Sequence, residues 1–182
     1  MSSDNIRLSV SQLARVLSPS LTDAILLRAQ TEEKKTFAAF MSVVGAALKF
    51  RPGIWQKWPK AQQREWLWTN LRSPRFTDSA RQLMQEWFFA ERTAMLTRFL
   101  DSLGVGHDEK GFISDELPDA FDAAKVREGT AALEKDFPAE EIALYLYLFQ
   151  LGKEGGWTEI AAEIERLAPA TWQWRTEPSA AG

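Results

Sequence analysis

The one histidine of this 182-residue chain, His107, is the side chain best suited to proton transfer near neutral pH. It is followed directly by Asp108 and Glu109, in a segment flanked by glycines. A histidine beside carboxylates could act as a general base, a metal ligand or a pH-sensitive group. Acids at the next two positions lack the spacing that brings ligands to one point. We therefore expect a surface loop, with His107 and Asp108 as its candidate residues.

Residues 108–116 resemble the second half of an EF-hand calcium loop. Gly111 fits the invariant glycine of that loop, Ile113 the conserved hydrophobic position and Asp108 the third ligand position. At the first, fifth and twelfth positions, where the ion needs oxygen ligands, the chain has Gly106, Lys110 and Leu117. We therefore expect no calcium site here.

Other reactive side chains are scarce. The chain has no cysteine, which excludes disulfides, thiolate nucleophiles and zinc sites with sulfur ligands. A catalytic triad would have to use His107, and no site can have two histidine ligands. The acids at 140–141 and at 159 and 163 have no histidine at metal-centre spacing, so we expect solvated helix faces or first-turn acids that compensate the helix dipole. The sequence predicts no catalytic residue, no metal, no cofactor and no enzymatic activity.

Residues 49–81 combine positive charge with tryptophan. They hold eight Lys or Arg against Glu65 and Asp78, and four Trp are interleaved with the cations. Aromatic rings among cations suit single-stranded nucleic acid, and Trp and Arg are also enriched where proteins bind proteins. Burial of the indoles in a core is the competing interpretation. The predicted interaction patch comprises Arg51, Trp55, Lys57, Trp58, Arg64, Trp68, Arg72 and Arg75.

Residues 9–28 resemble a helix-turn-helix DNA-binding unit. Ala14 would fill the close contact between the two helices. Its small core would be Leu13, Leu17, Ala24 and Leu27. Ser18 and Pro19 stand where the family has glycine and an aliphatic residue. The second helix offers few side chains that read base edges, which favours an ordinary helical hairpin.

Charge is divided unevenly along the chain. Residues 1–100 carry 15 Lys or Arg and 8 Asp or Glu, whereas residues 101–182 carry 7 and 17. Such polarity bears on association rather than on fold. Either the two halves neutralise each other, or a basic surface is offered to an anionic partner.

The elements that position these residues are helical, because apolar side chains recur at helical spacing almost everywhere. We predict an all-α protein, a single-domain irregular bundle of about seven helices over 1–182. A long helix over 77–103 and an apolar helix over 139–151 are expected at its centre. The predicted segments are N-terminal helices (6–50), a basic, Trp-rich connector and long helix (59–103), a long loop (104–120), acidic C-terminal helices (121–168) and a tail (169–182).

Three classes of function agree with this sequence. The first is a non-catalytic protein-interaction or scaffolding module, with self-association included. The second is a nucleic-acid-binding protein that uses residues 49–81 or 9–28. The third is a carrier of a small apolar ligand, suggested by the abundance of aromatic residues. No apolar run approaches bilayer length and the N-terminus has no apolar signal region, which predicts no membrane span and a cytoplasmic protein.

Overall fold

The structure, a computed structural model, describes residues 8–172, so the predicted positions of Ile6 and Trp174 lie outside the described residues. Nine α-helices and no β-strand occur in this part of the chain. The all-α class is thus confirmed, and the count of about seven helices was too low. The helices are α1 (Val10–Val16), α2 (Pro19–Glu32), α3 (Lys34–Ala47), α4 (Lys60–Leu71), α5 (Thr77–Glu91), α6 (Thr93–Leu103), α7 (Ala123–Leu133), α8 (Ala139–Gln150) and α9 (Thr158–Leu167).

The described residues fall into two compact units. Residues 8–83 and 170–172 form unit 1, and residues 84–169 form unit 2. Unit 1 also contains three short 3₁₀ segments: Ile54–Lys57, Pro74–Phe76 and Ala170–Trp172. Between residues 8 and 172, no helix combines the length and apolar character that crossing a bilayer requires.

Serine caps set the start of the first two helices. Ser9 accepts a hydrogen bond from the Gln12 amide (3.2 Å) and Gln12 Oε1 accepts one from the Ser9 amide (2.7 Å), a reciprocal capping box. Ser18 caps α2, whose first residue is Pro19. Only Leu17 and Ser18 separate the two helices.

The core expected for the helix-turn-helix resemblance is partly wrong. Leu13, Ala14 and Leu17 are buried, but Ala24 and Leu27 are exposed. Helix α2 instead turns Leu21, Ile25, Leu26 and Ala29 inward. Residues 24 and 27 fall on the opposite side of the helix, because successive residues are about 100° apart.

Unit 2 is organised around α8. Every residue from Ile142 to Gln150 is buried, as the apolar pattern of this segment predicts. Glu141 is buried as well, so its expected place on a solvated helix face was wrong. Aromatic rings surround it: Tyr145 lies edge-on to Phe99 at 5.7 Å, and Phe149 stacks on Trp157 at 5.3 Å. These contacts make the centre of unit 2 a layered aromatic core.

The predicted long helix over 77–103 is wrong, because the chain forms two helices there. Arg92 separates α5 from α6, with φ −131° and ψ 26°. Its Nε donates to Glu141 Oε2 (2.6 Å), and its guanidinium lies 4.8 Å from the Trp87 ring centroid. The apolar pattern continues on both sides of the break, so it could not reveal an interruption that depends on a residue 49 positions away.

The last described residues are held in unit 1. Trp172 is buried, and the segment Ala170–Trp172 lies against α1. The predicted tail, which begins at residue 169, therefore starts with a segment that packs on unit 1.

Two helical glycines give opposite expectations for substitution by alanine. A Cβ at Gly129 would lie 3.0 Å from Ser102 Cβ and 3.4 Å from Phe99, whereas one at Gly45 would lie 3.9 Å from Phe50 Cβ. Alanine gains about 1 kcal/mol of helix propensity at either site, but overpacking costs about 1–3 kcal/mol at 129. In urea unfolding, we expect G129A to lower the free energy of unfolding and G45A to raise it. A G129A variant as stable as the parent would contradict the close crossing of α6 and α7.

Candidate functional site

Unit 1 exposes large apolar side chains in basic surroundings at the end of α3 and in the connector that follows. The exposed apolar residues are Val43, Leu48, Phe50 and Ile54, and Val43 is 55% exposed. The exposed cations are Lys49, Arg51, Lys57 and Lys60. We call these eight residues the basic–apolar surface. No acidic residue occurs anywhere from 34 to 64.

The end of α3 is fixed by a two-bond turn. The Phe50 amide donates to Gly45 O (2.9 Å) and the Lys49 amide donates to Ala46 O (3.1 Å), the pattern of a Schellman motif. Lys49 has φ +60° and is the one non-glycine residue of 8–172 with a left-handed backbone. Glycine is the usual residue at this position, and a side chain there costs on the order of 1 kcal/mol. One of the eight residues of the basic–apolar surface is thus a lysine with a strained backbone.

Three aromatic rings pack beneath this turn. Phe50 lies 5.4 Å from Trp66 and 6.3 Å from Trp58, and the two indoles are 5.5 Å apart. All three pairs meet edge to face, at interplanar angles of 71–88°. The rings therefore support one another and do not stand apart as separate stacking platforms.

A buried glutamine holds the connector in place. Gln63 of α4 is 1% exposed, and its Nε2 donates to Trp55 O (3.1 Å) and Trp58 O (3.0 Å). Its Oε1 accepts from Gln30 Nε2 of α2 (3.2 Å). Both the nitrogen and the oxygen of the Gln63 side-chain amide thus have hydrogen-bond partners, which is required of a buried polar side chain.

Gln30 extends this network across unit 1. Its Nε2 also donates to Lys60 O (3.2 Å), and its Oε1 accepts from Arg64 Nη1 (2.7 Å). Arg64 Nε lies 3.5 Å from Asp23 Oδ1. Two helices and the connector are therefore joined by one chain of polar contacts.

The structure separates the members of the predicted interaction patch. Four are exposed: Arg51, Lys57, Arg72 and Arg75. Three are half-buried: Trp55, Trp58 and Arg64. Trp68 is 3% exposed and belongs to the core of unit 1.

Sequence reasoning missed the apolar members of the basic–apolar surface and the two buried glutamines. Val43 fits the apolar stripe of α3, so its exposure cannot be distinguished from burial by spacing. Gln30 begins a polar stretch of sequence, which gives no sign that its side chain is buried. The absence of acids between Glu33 and Glu65 was the signal that could have located the surface.

An open groove of about 470 Å³ lies between α2 and α4. Its walls mix apolar Leu17, Leu26 and Trp68 with polar and charged Asp23 and Arg64. A carrier of small apolar ligands needs a mostly apolar cavity that encloses its ligand. This groove gives that class of function no support.

In unit 2, the predicted loop over 104–120 contains a tight hairpin. His107 and Ile113 form an antiparallel bridge. Asp108 Oδ1 accepts hydrogen bonds from the Lys110 and Phe112 amides, both at 2.9 Å. At Gly111, with φ +84°, a Cβ would lie 2.9 Å from Leu96 Cβ, so only glycine lets the turn approach α6 this closely.

The hairpin presents apolar side chains among acids. Phe112 is 50% exposed and stacks on Phe89 with ring centroids 4.3 Å apart, and Ile113 is also exposed. Four exposed carboxylates surround the pair: Asp108, Glu109, Asp115 and Glu116. We call residues 107–116 the acidic hairpin.

Asp108, the carboxylate at a calcium-ligand position of the EF-hand resemblance, binds backbone amides, and so does Asp115. Asp108 caps the turn, and Asp115 Oδ2 accepts from the Gly106 amide (2.8 Å). Within the described chain, no three His, Asp or Glu side chains are placed to hold a metal ion.

Both ring nitrogens of the His107 imidazole lie within hydrogen-bond distance of an oxygen atom. Nδ1 lies 2.7 Å from Asp108 O and Nε2 lies 3.1 Å from Asp101 Oδ1. The imidazolium can donate to both oxygens, so these contacts raise the pKa of His107, the backbone contact contributing most. His107 thus stabilises the base of the acidic hairpin most strongly when protonated.

Comparison with known proteins gives no match: no family model, no curated protein and no solved structure is similar to this chain. Function must therefore be inferred from the side chains themselves. Two surfaces of opposite charge, each with exposed large apolar residues, are the features that bear on it.

Replacing Gln63 tests the network that holds the connector. We expect Q63A to lower the free energy of unfolding by about 1–3 kcal/mol, because it removes the partner of two buried carbonyl groups and of Gln30. We also expect a red shift of tryptophan emission, as Trp55 and Trp58 become more solvated. The matched control is Q62A at the exposed neighbouring position, which should change stability by less than about 0.5 kcal/mol. Equal effects of the two variants would contradict the role of Gln63.

A proton NMR titration reports directly on His107, because it is the only histidine. We expect a midpoint above the usual 6.5, lowered in D101N and unchanged in D136N, whose carboxylate pairs with Arg98 instead. Since the folded pKa exceeds the unfolded one, protonation stabilises the fold below about pH 6.5, and this contribution is lost as pH rises through the folded pKa. A parent midpoint at or below 6.5 would refute this geometry.

Proposed function

We propose that the chain is a non-catalytic protein-interaction module, whose basic–apolar surface binds a protein segment that carries both acidic and apolar side chains. The observation that supports this most is the alternation of exposed large apolar residues with exposed cations over an acid-free stretch of chain. Exposed apolar patches rimmed by polar groups are typical of binding surfaces.

The outer face of α3 supports an apolar partner. Lys34 and Lys35 at the start of α3 are exposed, but no charged residue occurs from 36 to 48, and the exposed residues in the rest of the helix are Ala39, Ser42, Val43 and Ala46. A helix on the surface of a protein normally turns charged residues to solvent. Each square ångström of apolar area covered by a partner contributes about 25 cal/mol.

The cations support an acidic partner. None of Lys49, Arg51, Lys57 and Lys60 forms an ion pair within the described chain. Unpaired surface cations accelerate the encounter with an acidic surface and select against basic ones. The combination of charge and apolar area favours a protein segment over a free small anion.

The nucleic-acid alternative receives less support. Binding of single strands uses separate exposed ring faces, whereas Phe50, Trp58 and Trp66 pack on one another. Exposed Val43 and Ile54 have no role against phosphates. In the helix-turn-helix resemblance, the exposed side of α2 carries Asp23, which would repel a phosphate backbone.

Fluorescence anisotropy tests the proposal with a labelled peptide that alternates paired glutamates with phenylalanine. We expect saturable, salt-sensitive binding, weakened about tenfold or more in K57E/K60E. The matched control is K125E, a reversal of an exposed lysine on α7 of unit 2, which should leave the affinity unchanged. Peptides with only glutamate, or with lysine in place of glutamate, should bind poorly. Binding of labelled single-stranded DNA or of phosphatidylserine vesicles, without binding of the peptide, would contradict the proposal.

Substitution of Lys49 should change the stability of the fold and the affinity for the peptide in opposite directions. Glycine relieves the left-handed strain, so we expect K49G to raise the free energy of unfolding by up to about 1 kcal/mol. The same variant removes a cation from the centre of the surface and should weaken the peptide by about two- to fivefold. Urea unfolding and anisotropy measured on one preparation check both effects. A K49G variant that is more stable and binds as tightly as the parent would remove Lys49 from the binding surface.

A further inference from the structure

We propose that the partner segment is the acidic hairpin of a second copy of this chain, so that the basic–apolar surface of one copy holds residues 107–116 of another. This inference rests on the proposed function, since it names the occupant of the same surface. It adds a second site, the acidic hairpin, and commits to self-association as the form of binding.

The exposed apolar residues indicate the two partners. Seven large apolar side chains are exposed in residues 8–172. Four belong to the basic–apolar surface and two, Phe112 and Ile113, to the acidic hairpin, which leaves only Leu27 elsewhere. Both sites thus expose large apolar side chains to solvent, and each can bury the apolar residues of the other.

Their charges are complementary. The acidic hairpin carries four carboxylates and one lysine, Lys110, whereas the basic–apolar surface carries four cations and no acid. The side chains of Glu109 and Glu116 are exposed, and so are those of Lys57 and Lys60. Like charges at either site would oppose any contact of hairpin with hairpin or of surface with surface. The favoured contact is therefore between unlike sites.

The acidic hairpin is organised before it binds. Asp108 caps its turn, Gly111 seats it against Leu96, and Phe112 is stacked on Phe89. A segment whose backbone is already fixed loses little conformational entropy on docking. The opposite site is equally fixed, because the Schellman turn and Gln63 hold its backbone.

Each copy carries both sites, which constrains the assembly. Two copies can each bind the hairpin of the other and form a closed two-fold dimer, or successive copies can associate head to tail. In either arrangement each contact pairs one basic–apolar surface with one acidic hairpin. Variants of the two sites should therefore complement each other.

Sedimentation velocity of the full chain, in a concentration series at low and high salt, tests the inference by charge reversal. We expect the parent to self-associate reversibly and less at high salt. The surface variant K57E/K60E and the hairpin variant E109K/E116K should each associate about tenfold more weakly or not at all. In the described chain none of these four side chains takes part in a hydrogen bond, as donor or as acceptor, so circular dichroism should stay unchanged.

An equimolar mixture of the two variants is the decisive sample. Each mixed contact then pairs unlike charges again, so we expect association close to that of the parent. The matched controls are the two variants measured separately at the same total concentration, where each contact brings like charges together at the altered positions. Each variant alone should associate less than the equimolar mixture.

Three results would overturn the inference: a parent that is monomeric at every concentration, undiminished association of K57E/K60E, or a mixture that stays monomeric. If the parent is monomeric but still binds the glutamate–phenylalanine peptide, only the identity of the partner is wrong. If neither the peptide nor a second copy binds, the proposed function fails as well.

Discussion

The hydrogen bonds of buried Gln63 are the constraint on which the basic–apolar surface depends. One side chain satisfies the carbonyl groups of Trp55 and Trp58 and is itself bound by Gln30. Leaving a buried carbonyl without a hydrogen-bond partner costs about 1–3 kcal/mol of folding free energy. The hydrogen bonds from Gln63 therefore stabilise the connector against α4. The exposed residues on either side of it are thereby presented on a fixed backbone, although the segment contains little regular structure.

Positive charge has two roles in the described chain: arginines of both units form ion pairs within the fold, as Arg64 does with Asp23 in unit 1, whereas the cations of the basic–apolar surface form none. In unit 2 arginines hold helices together: Arg92 pairs with Glu141 at 2.6 Å, and Arg166 bridges to Glu134 at 2.8 Å. These groups are used within the fold and are not offered to a partner. In unit 1 the cations of the basic–apolar surface have no such partners, so the same residue types are available for recognition. The uneven charge along the chain therefore reflects two uses of charge as well as two signs.

Sequence pattern predicted the features that depend on local chemistry. The all-α class and the buried α8 follow from the spacing and the apolar content within single segments. The break at Arg92, the burial of Gln30 and the burial of Trp68 depend on residues far along the chain, and no local pattern contains them. The candidate surface was located in part, because its cations are visible in sequence whereas the exposure of Val43 is not.

The most direct test of the central claim is an NMR map of the tryptophan indole signals during addition of the glutamate–phenylalanine peptide. The account predicts that the indole N–H signals of Trp55, Trp58 and Trp66, half-buried beside the basic–apolar surface, shift progressively and saturate together. Those of the buried Trp87 and Trp157 in unit 2 should stay in place. Shifts confined to the unit 2 indoles, or none at the three beside the surface while the peptide binds, would contradict it.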